Sequence, residues 1–259
     1  MVSRLEGADA GRPHLSRYLF LLISAVVYLI FLGTFLYLVG FVAGLPQLPS
    51  NVDKGTYLIP PTALFVDLGL IALFGVQHSV MARPGFKAVW TRIVPKPIER
   101  SIYVLAASVM LMVLFAFWCP IDGTVWHVDA PAGRIALWAL FGLGWAIVLL
   151  STFLINHFEL FGLSQVVRNL RNREAGAPVF RMPFFYKFVR HPLYSGFFIA
   201  FWATPDMSYG HLLLAGGMSV FMLIAIQYEE RDLIDTFGSD YRSYRERVGM
   251  LTPKLGRAK

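Results

Sequence analysis

The residue types best suited to chemistry gather in the last quarter of the chain. The run RHPLYSG holds Arg190, His191, Pro192, Tyr194 and Gly196; Glu229 and Glu230 follow after an apolar stretch, at the head of the tail QYEERDLIDTFGSDYRSYRERV from Gln227 to Val248. An arginine, a histidine, two carboxylates and several tyrosines suit a ligand that carries both charges. The guanidinium takes a carboxylate, the carboxylates take cations or hydroxyls, and aromatic faces pack on a heterocycle or meet an onium charge. Proline after His191 disfavours helix at the histidine, which predicts a broken start to the apolar run with polar backbone open to a ligand. Gly196 lets a second helix or a ligand come close. Each residue alone also has a plainer role. Arg190 and Tyr194 suit interface anchors, the glutamates suit helix-end charges, and Tyr241 and Tyr244 suit the packed stripe of an amphipathic tail helix.

Two other groups place ionisable residues beside apolar runs. In FGVQHSVMARPGF, helical spacing puts Phe74, Gln77, His78 and Met81 on one face, so His78 is either a hydrogen-bonded packing residue or a proton acceptor for a ligand. In STFLINHFELFGLSQV, Asn156, His157 and Glu159 arrive where another apolar run ends. They read as helix-end anchors, or as a carboxylate that orients His157 or attracts a cation. A metal held by His78 and His157 lacks ligand-rich spacing such as H-x-x-x-H, and no metal is expected. Cys119 is the only cysteine, which leaves no intrachain disulfide and no cysteine cluster.

The elements that must position these groups are membrane helices. Of 259 residues, 56% are apolar and only 15% charged, far from a soluble composition. Tyr18 to Leu45, Ser101 to Ile121 and Ile135 to Ile155 carry no charge, and each is long enough for the ~20 residues a helix needs to cross hydrocarbon. Pro60 to Met81 makes a fourth span despite Asp67, Gln77 and His78. Ser195 to Pro205 is too short to cross alone; it reads as the first arm of a hairpin that turns at TPDMSYG and returns through Met207 to Tyr228, with Glu229 and Glu230 at its end. The expected fold is all-α and polytopic: four transmembrane helices, a C-terminal helical hairpin and a cytoplasmic amphipathic tail helix, in one domain over residues 1–259. Residues 1–17 form a cytoplasmic tail, 18–155 the four spans, and 156–259 the loop, hairpin and tail.

All but Lys54 and Arg134 of the 23 basic residues fall in the N-terminal tail, Arg83–Arg100, Asn156–Pro192 or the C-terminal tail, which places both termini in the cytoplasm. An even number of crossings follows, as four spans and a hairpin require. Anionic headgroups account for the net charge of +7, and no nucleic-acid recognition motif accompanies it. The opening run is too long for a signal-peptide core, so Tyr18 to Leu45 is expected to be retained.

The pattern R-H-P-x-Y-x-G, an apolar hairpin, E-E and F-G-x-x-Y-x-x-Y resembles the C-terminal signature of the isoprenylcysteine carboxyl methyltransferase superfamily and its phospholipid methyltransferase relatives. The matching residues are His191, Pro192, Tyr194, Gly196, Glu229, Glu230, Phe237, Gly238, Tyr241 and Tyr244. With FGVQHSVMARPGF, PIERSIYVLAAS and NHFELFGLSQV included, Phe74 to Pro253 is similar to the bacterial methanethiol S-methyltransferases, which sit beside the NnrU-like membrane proteins.

That resemblance implies an inner-membrane enzyme that methylates methanethiol, a small thiol, to dimethyl sulfide with S-adenosylmethionine as donor. It assigns Arg190, His191, Pro192, Tyr194, Gly196, Glu229, Glu230, Tyr241 and Tyr244 to the donor. A small alkyl thiol is mostly protonated at neutral pH and benefits from a base; His78 and His157 are the candidates, while Arg190, Arg231 or the sulfonium can lower the thiol pKa electrostatically. His78 is the preferred base, with His157, Glu159 and Arg231 as further catalytic candidates. Methylation of a prenylcysteine carboxylate or a phospholipid amine, a nicotinamide-dependent reductase that shares the RHP motif, and a non-catalytic NnrU-like factor stay open. Membrane lipids surround the protein, and the sequence fixes no oligomeric state.

Overall fold

The computed structural model describes residues 12–174, 176, 177 and 179–254; the remainder of the expected cytoplasmic tails lies outside these. In chain order the elements are α1 (Arg12–Val42), α2 (Pro60–Ala82), α3 (Pro84–Trp90), α4 (Lys96–Phe117), β1 (Thr124–His127) and α5 (Pro131–Ile155). They continue with α6 (His157–Leu160), α7 (Leu163–Leu170), α8 (Pro192–Trp202), β2 (Asp206–Ser208), α9 (Tyr209–Phe237) and α10 (Ser239–Arg247). Five of these helices, α1, α2, α4, α5 and α9, are long and apolar enough to cross a bilayer. Leu22, Leu29 and Leu36 of α1, Leu143 and Leu150 of α5, and Val220 and Ile224 of α9 are exposed, an outer surface that only hydrocarbon solvates without cost. The protein is an all-α, polytopic integral membrane protein.

Proline sets the starts. It stands in the first turn of α2, α4, α5 and α8, where its fixed φ suits the helix and its missing N–H costs nothing. The apolar limits read from sequence therefore miss polar first turns: α4 begins at Lys96 rather than Ser101, and it stops at Phe117 ahead of Pro120 rather than at Ile121. The largest correction concerns α9. It does not end at Tyr228 but runs as one 29-residue helix to Phe237. At 1.5 Å per residue, about 20 residues exhaust the hydrocarbon, so Tyr228 marks the end of the apolar stretch and Glu229 stands on helix that continues beyond it.

The short arm is α8, and it packs chiefly along α5. A Cβ on Gly144 would stand 2.8 Å from the Gly196 carbonyl oxygen, and one on Gly196 would stand 2.7 Å from the Gly144 carbonyl oxygen. The two backbones touch, as small residues allow between membrane helices. Helix α9 runs antiparallel to α8: His211 near its start bonds the Phe201 carbonyl at 3.0 Å, and Trp202 donates to Ser219 at 3.0 Å. Between them β2 pairs with β1 in a two-stranded antiparallel ribbon that was not expected from sequence. Strands of three and four residues are too short for alternation to register. Arg134 at the start of α5 clasps this ribbon through both Asp206 oxygens, at 3.0 and 2.7 Å. At the same end Trp118, fully buried, donates to the Val52 carbonyl.

Candidate functional site

At the opposite end, α8, α9 and the tail meet around one carboxylate. Glu230 Oε1 accepts from Arg190 Nε at 2.7 Å and lies 3.1 Å from His191 Nε2, while Oε2 accepts from Arg245 at 3.0 Å. Its side chain is 4% exposed. Arg190 also donates to the Arg245 and Val248 carbonyls, so its guanidinium is shared among α9, α10 and the segment that follows. The proline-broken start of α8 is closed by the tail: the Arg190 and His191 N–H groups donate to the Gly249 and Met250 carbonyls, at 2.8 and 3.1 Å, and Ser195 Oγ donates to that of Leu251. The backbone that sequence reasoning left open to a ligand is thus taken. Tyr244 donates to the Tyr186 carbonyl at 2.6 Å, and burial pushes its phenol up to about 12. Phe180 packs edge-on to Tyr241 and Tyr244. Burial likewise raises the Tyr241 phenol, whose oxygen has no partner among the described residues. Gly196 serves the contact with α5, and Pro192 opens α8.

Glu229, one residue earlier, is in a different situation. Its side chain is 45% exposed, and its approach to His191 Nδ1 is a long 4.0 Å. Tyr194 faces the same carboxylate from α8, with its ring 5.7 Å from that of His191. Tyr103 of α4 and Arg83 beyond α2 share this electrostatic neighbourhood with Tyr194 and Glu229. Arg83 ties α2 to α9 through Asp232 at 2.9 Å and lies over the Tyr228 ring.

The Tyr103 hydroxyl is 2.9 Å from His78 Nε2. The imidazole stacks on Phe74 at 5.3 Å and meets Phe221 of α9 edge-on, and its Nδ1 is buried without a partner among the described residues. Gln77 donates to the Met81 sulfur at 3.1 Å, along the face that the helical spacing predicts. Arg100 lies over the Tyr103 ring at 4.8 Å and donates to the Leu160 carbonyl at 2.7 Å.

The remaining candidates are elsewhere. His157 is 5% exposed, held at both ring nitrogens by Tyr28 and Thr152 at 2.8 Å each, and stacked flat on Phe153 at 4.1 Å. Desolvation lowers its pKa below the ordinary imidazole value, which favours the neutral ring. Glu159 does not orient it: that carboxylate takes Asn156 at 2.7 Å and Arg168 at 3.1 Å and ties the start of α6 to α7. Arg231 is exposed and lies over Tyr228, outside the cluster at Glu230. Tyr103, Arg83, Arg100 and Arg245 were not singled out in the sequence. A tyrosine inside an apolar run and arginines in a basic loop look like ordinary interface residues, and only their distant partners distinguish them.

Comparison with known proteins now decides the family. The chain is 51% identical over 239 residues to the methanethiol S-methyltransferase of Mycobacterium tuberculosis, covering 92% of this chain and 98% of that protein. The chain belongs to the methanethiol S-methyltransferase family. Methanethiol S-methyltransferase 1 of Bradyrhizobium diazoefficiens is 48% identical over 247 residues, covering 95% of this chain and 86% of that protein. A nurim homolog of Drosophila pseudoobscura is 32% identical over 168 residues, covering 62% of this chain and 66% of its own length. No protein-family model and no solved structure matches the chain. The methanethiol S-methyltransferase match runs through α2 and α4 as well as the C-terminal signature, so it includes the His78 and Tyr103 wall together with the Glu230 cluster.

Proposed function

We propose that this protein methylates methanethiol at sulfur to give dimethyl sulfide, with S-adenosylmethionine as donor, at the end of the bundle where α8 and α9 meet the tail. The observation that carries the reading is similarity near one half over almost the whole length of methanethiol S-methyltransferases. The donor supplies, when bound, an electrophilic methyl group on a sulfonium, and leaves as S-adenosylhomocysteine when the electron pair of the broken bond returns to its sulfur.

The residues fit such a donor unequally. Glu229 is a half-exposed carboxylate with no cationic partner closer than 4.0 Å among the described residues, beside Tyr194, and is suited to an ammonium, a ribose hydroxyl or the field of a sulfonium. Glu230 already has three partners, so Arg190, His191 and Arg245 act with it as the brace that fixes α8, α9 and the tail around the site. Tyr241 and Tyr244 hold the tail against that brace. His78 takes the thiol proton at Nδ1, which has no partner among the described residues. The apolar walls exclude water, which leaves alignment and proton removal as the protein's tasks.

We place this end of the bundle, with both termini, in the cytoplasm. The basic loops and the antiparallel α8–α9 pair support that orientation, with α8 and α9 as a hairpin after four spans.

Headspace gas chromatography on detergent-purified protein given S-adenosylmethionine and methanethiol tests the activity, beside binding of the donor by calorimetry. Cofactor-dependent dimethyl sulfide is expected, and Glu229→Ala should weaken donor binding by roughly 10- to 100-fold, the scale of one charge-assisted hydrogen bond. Donor binding without dimethyl sulfide would redirect the search to other thiols or lipids; no donor binding would remove the methyltransferase reading.

A further inference from the structure

We propose that Tyr103 is a positioning residue: it sets the tautomer of His78 so that Nδ1 carries a bare lone pair for the thiol proton. This deepens, and rests on, the reading of His78 as the base. A single hydrogen decides the tautomer. The Tyr103 oxygen lies 2.9 Å from His78 Nε2 and 3.3 Å from the main-chain carbonyl oxygen of the same histidine. A carbonyl only accepts, so in one arrangement the phenol proton goes to it and the phenol oxygen accepts from Nε2–H. The neutral ring has one N–H, and with that hydrogen on Nε2 the other nitrogen is an acceptor.

The reverse arrangement puts the phenol proton on Nε2 and a hydrogen on Nδ1. That nitrogen is buried with no partner among the described residues, so its N–H would be an unmet donor with the full desolvation cost. The first arrangement satisfies every donor in the pair and leaves one unmet acceptor, which is what a base awaiting a proton looks like.

The tyrosine is itself fixed. Arg100 lies over its ring at 4.8 Å and is anchored on the Leu160 carbonyl at 2.7 Å, while Phe74 and Phe221 confine the imidazole. Orientation therefore passes from Leu160 through Arg100 and Tyr103 to His78. In the reaction the thiol S–H bond breaks with its electron pair left on sulfur, where it forms the new bond to the methyl carbon. The proton leaves the thiol through Nδ1 and passes on to solvent.

The test is Tyr103→Phe, which keeps the ring and removes one oxygen, with His78→Ala and the double variant beside it. Nitrogen NMR of histidine-labelled protein should show His78 with Nδ1 bare and Nε2 protonated, and Tyr103→Phe should lose that single form. Turnover should fall roughly 10- to 100-fold, the scale on which orienting partners of functional histidines act, with affinity for S-adenosylmethionine unchanged. The double variant should be no slower than His78→Ala alone. A protonated Nδ1 in the parent protein, or losses that simply add, would overturn the proposal. Full turnover in His78→Ala removes the base reading itself, whereas loss there with none in Tyr103→Phe removes only the tyrosine's role.

Discussion

His78 and His157 both stand where a long apolar helix meets the interface, and both have a tyrosine hydroxyl within 3 Å of Nε2. They differ at the other nitrogen. Thr152 occupies Nδ1 of His157 at 2.8 Å, and Phe153 lies flat on the ring at 4.1 Å, so nothing about that imidazole is left to offer. Nδ1 of His78 has no partner among the described residues, and its tyrosine shares an electrostatic neighbourhood with the half-exposed Glu229. The same residue type thus gives one histidine that locks α1 to α5 and one that keeps a ring nitrogen without a partner among the described residues. The count of satisfied ring nitrogens separates them.

Breaking the closed histidine should give the largest effect on stability. His157→Ala removes two hydrogen bonds and a stacked ring, and should cost about 2–4 kcal/mol, read as a lower thermal midpoint in detergent. Turnover per folded molecule should stay at the parent level. A variant that melts like the parent but turns over slowly would erase the contrast with His78.

A smaller effect sharpens the comparison through pH. Desolvation holds the folded-state pKa of His157 below its ordinary value, so below about 6.5 the unfolded chain takes up more protons than the folded one. The neutral ring's contribution is complete above about 6.5 and declines as pH falls through that value. Thermal midpoints measured from about pH 7.5 to about 5.5 should therefore drop more steeply for the parent than for His157→Gln; parallel curves would contradict a buried neutral histidine. The smallest expected change is Tyr28→Phe. It removes one neutral hydrogen bond, worth about 0.5–1.5 kcal/mol, and should leave turnover unaltered.

What the sequence made legible followed from where chemistry is local. Charge-free runs gave the long helices, because hydrocarbon tolerates little else, and Arg190, His191, Glu229 and Glu230 stood out as polar groups beside such runs. Helix ends were less legible. Lys96, Glu99 and Arg100 are polar yet helical in α4, and α9 continues through Glu229 to Phe237 because water does not unwind a helix that packs on its neighbours. The division of labour between adjacent glutamates was invisible, since Arg245 reaches Glu230 from a separate helix. The same holds for Tyr103, whose partner is 25 positions away on α2. Both belong to pairings between helices, for which local periodicity carries no signal.

The backbone contact between Gly144 and Gly196 gives the molecule a fulcrum. His191 lies five positions from Gly196, about 7.5 Å along α8 at 1.5 Å per residue, so a tilt at the crossing is transmitted to the Glu230 brace. A single methyl group at either glycine would wedge the helices apart and swing the charged end of α8 away from α9. The alignment of the polar site is in this sense calibrated deep in the apolar layer, at a place that touches none of its charges.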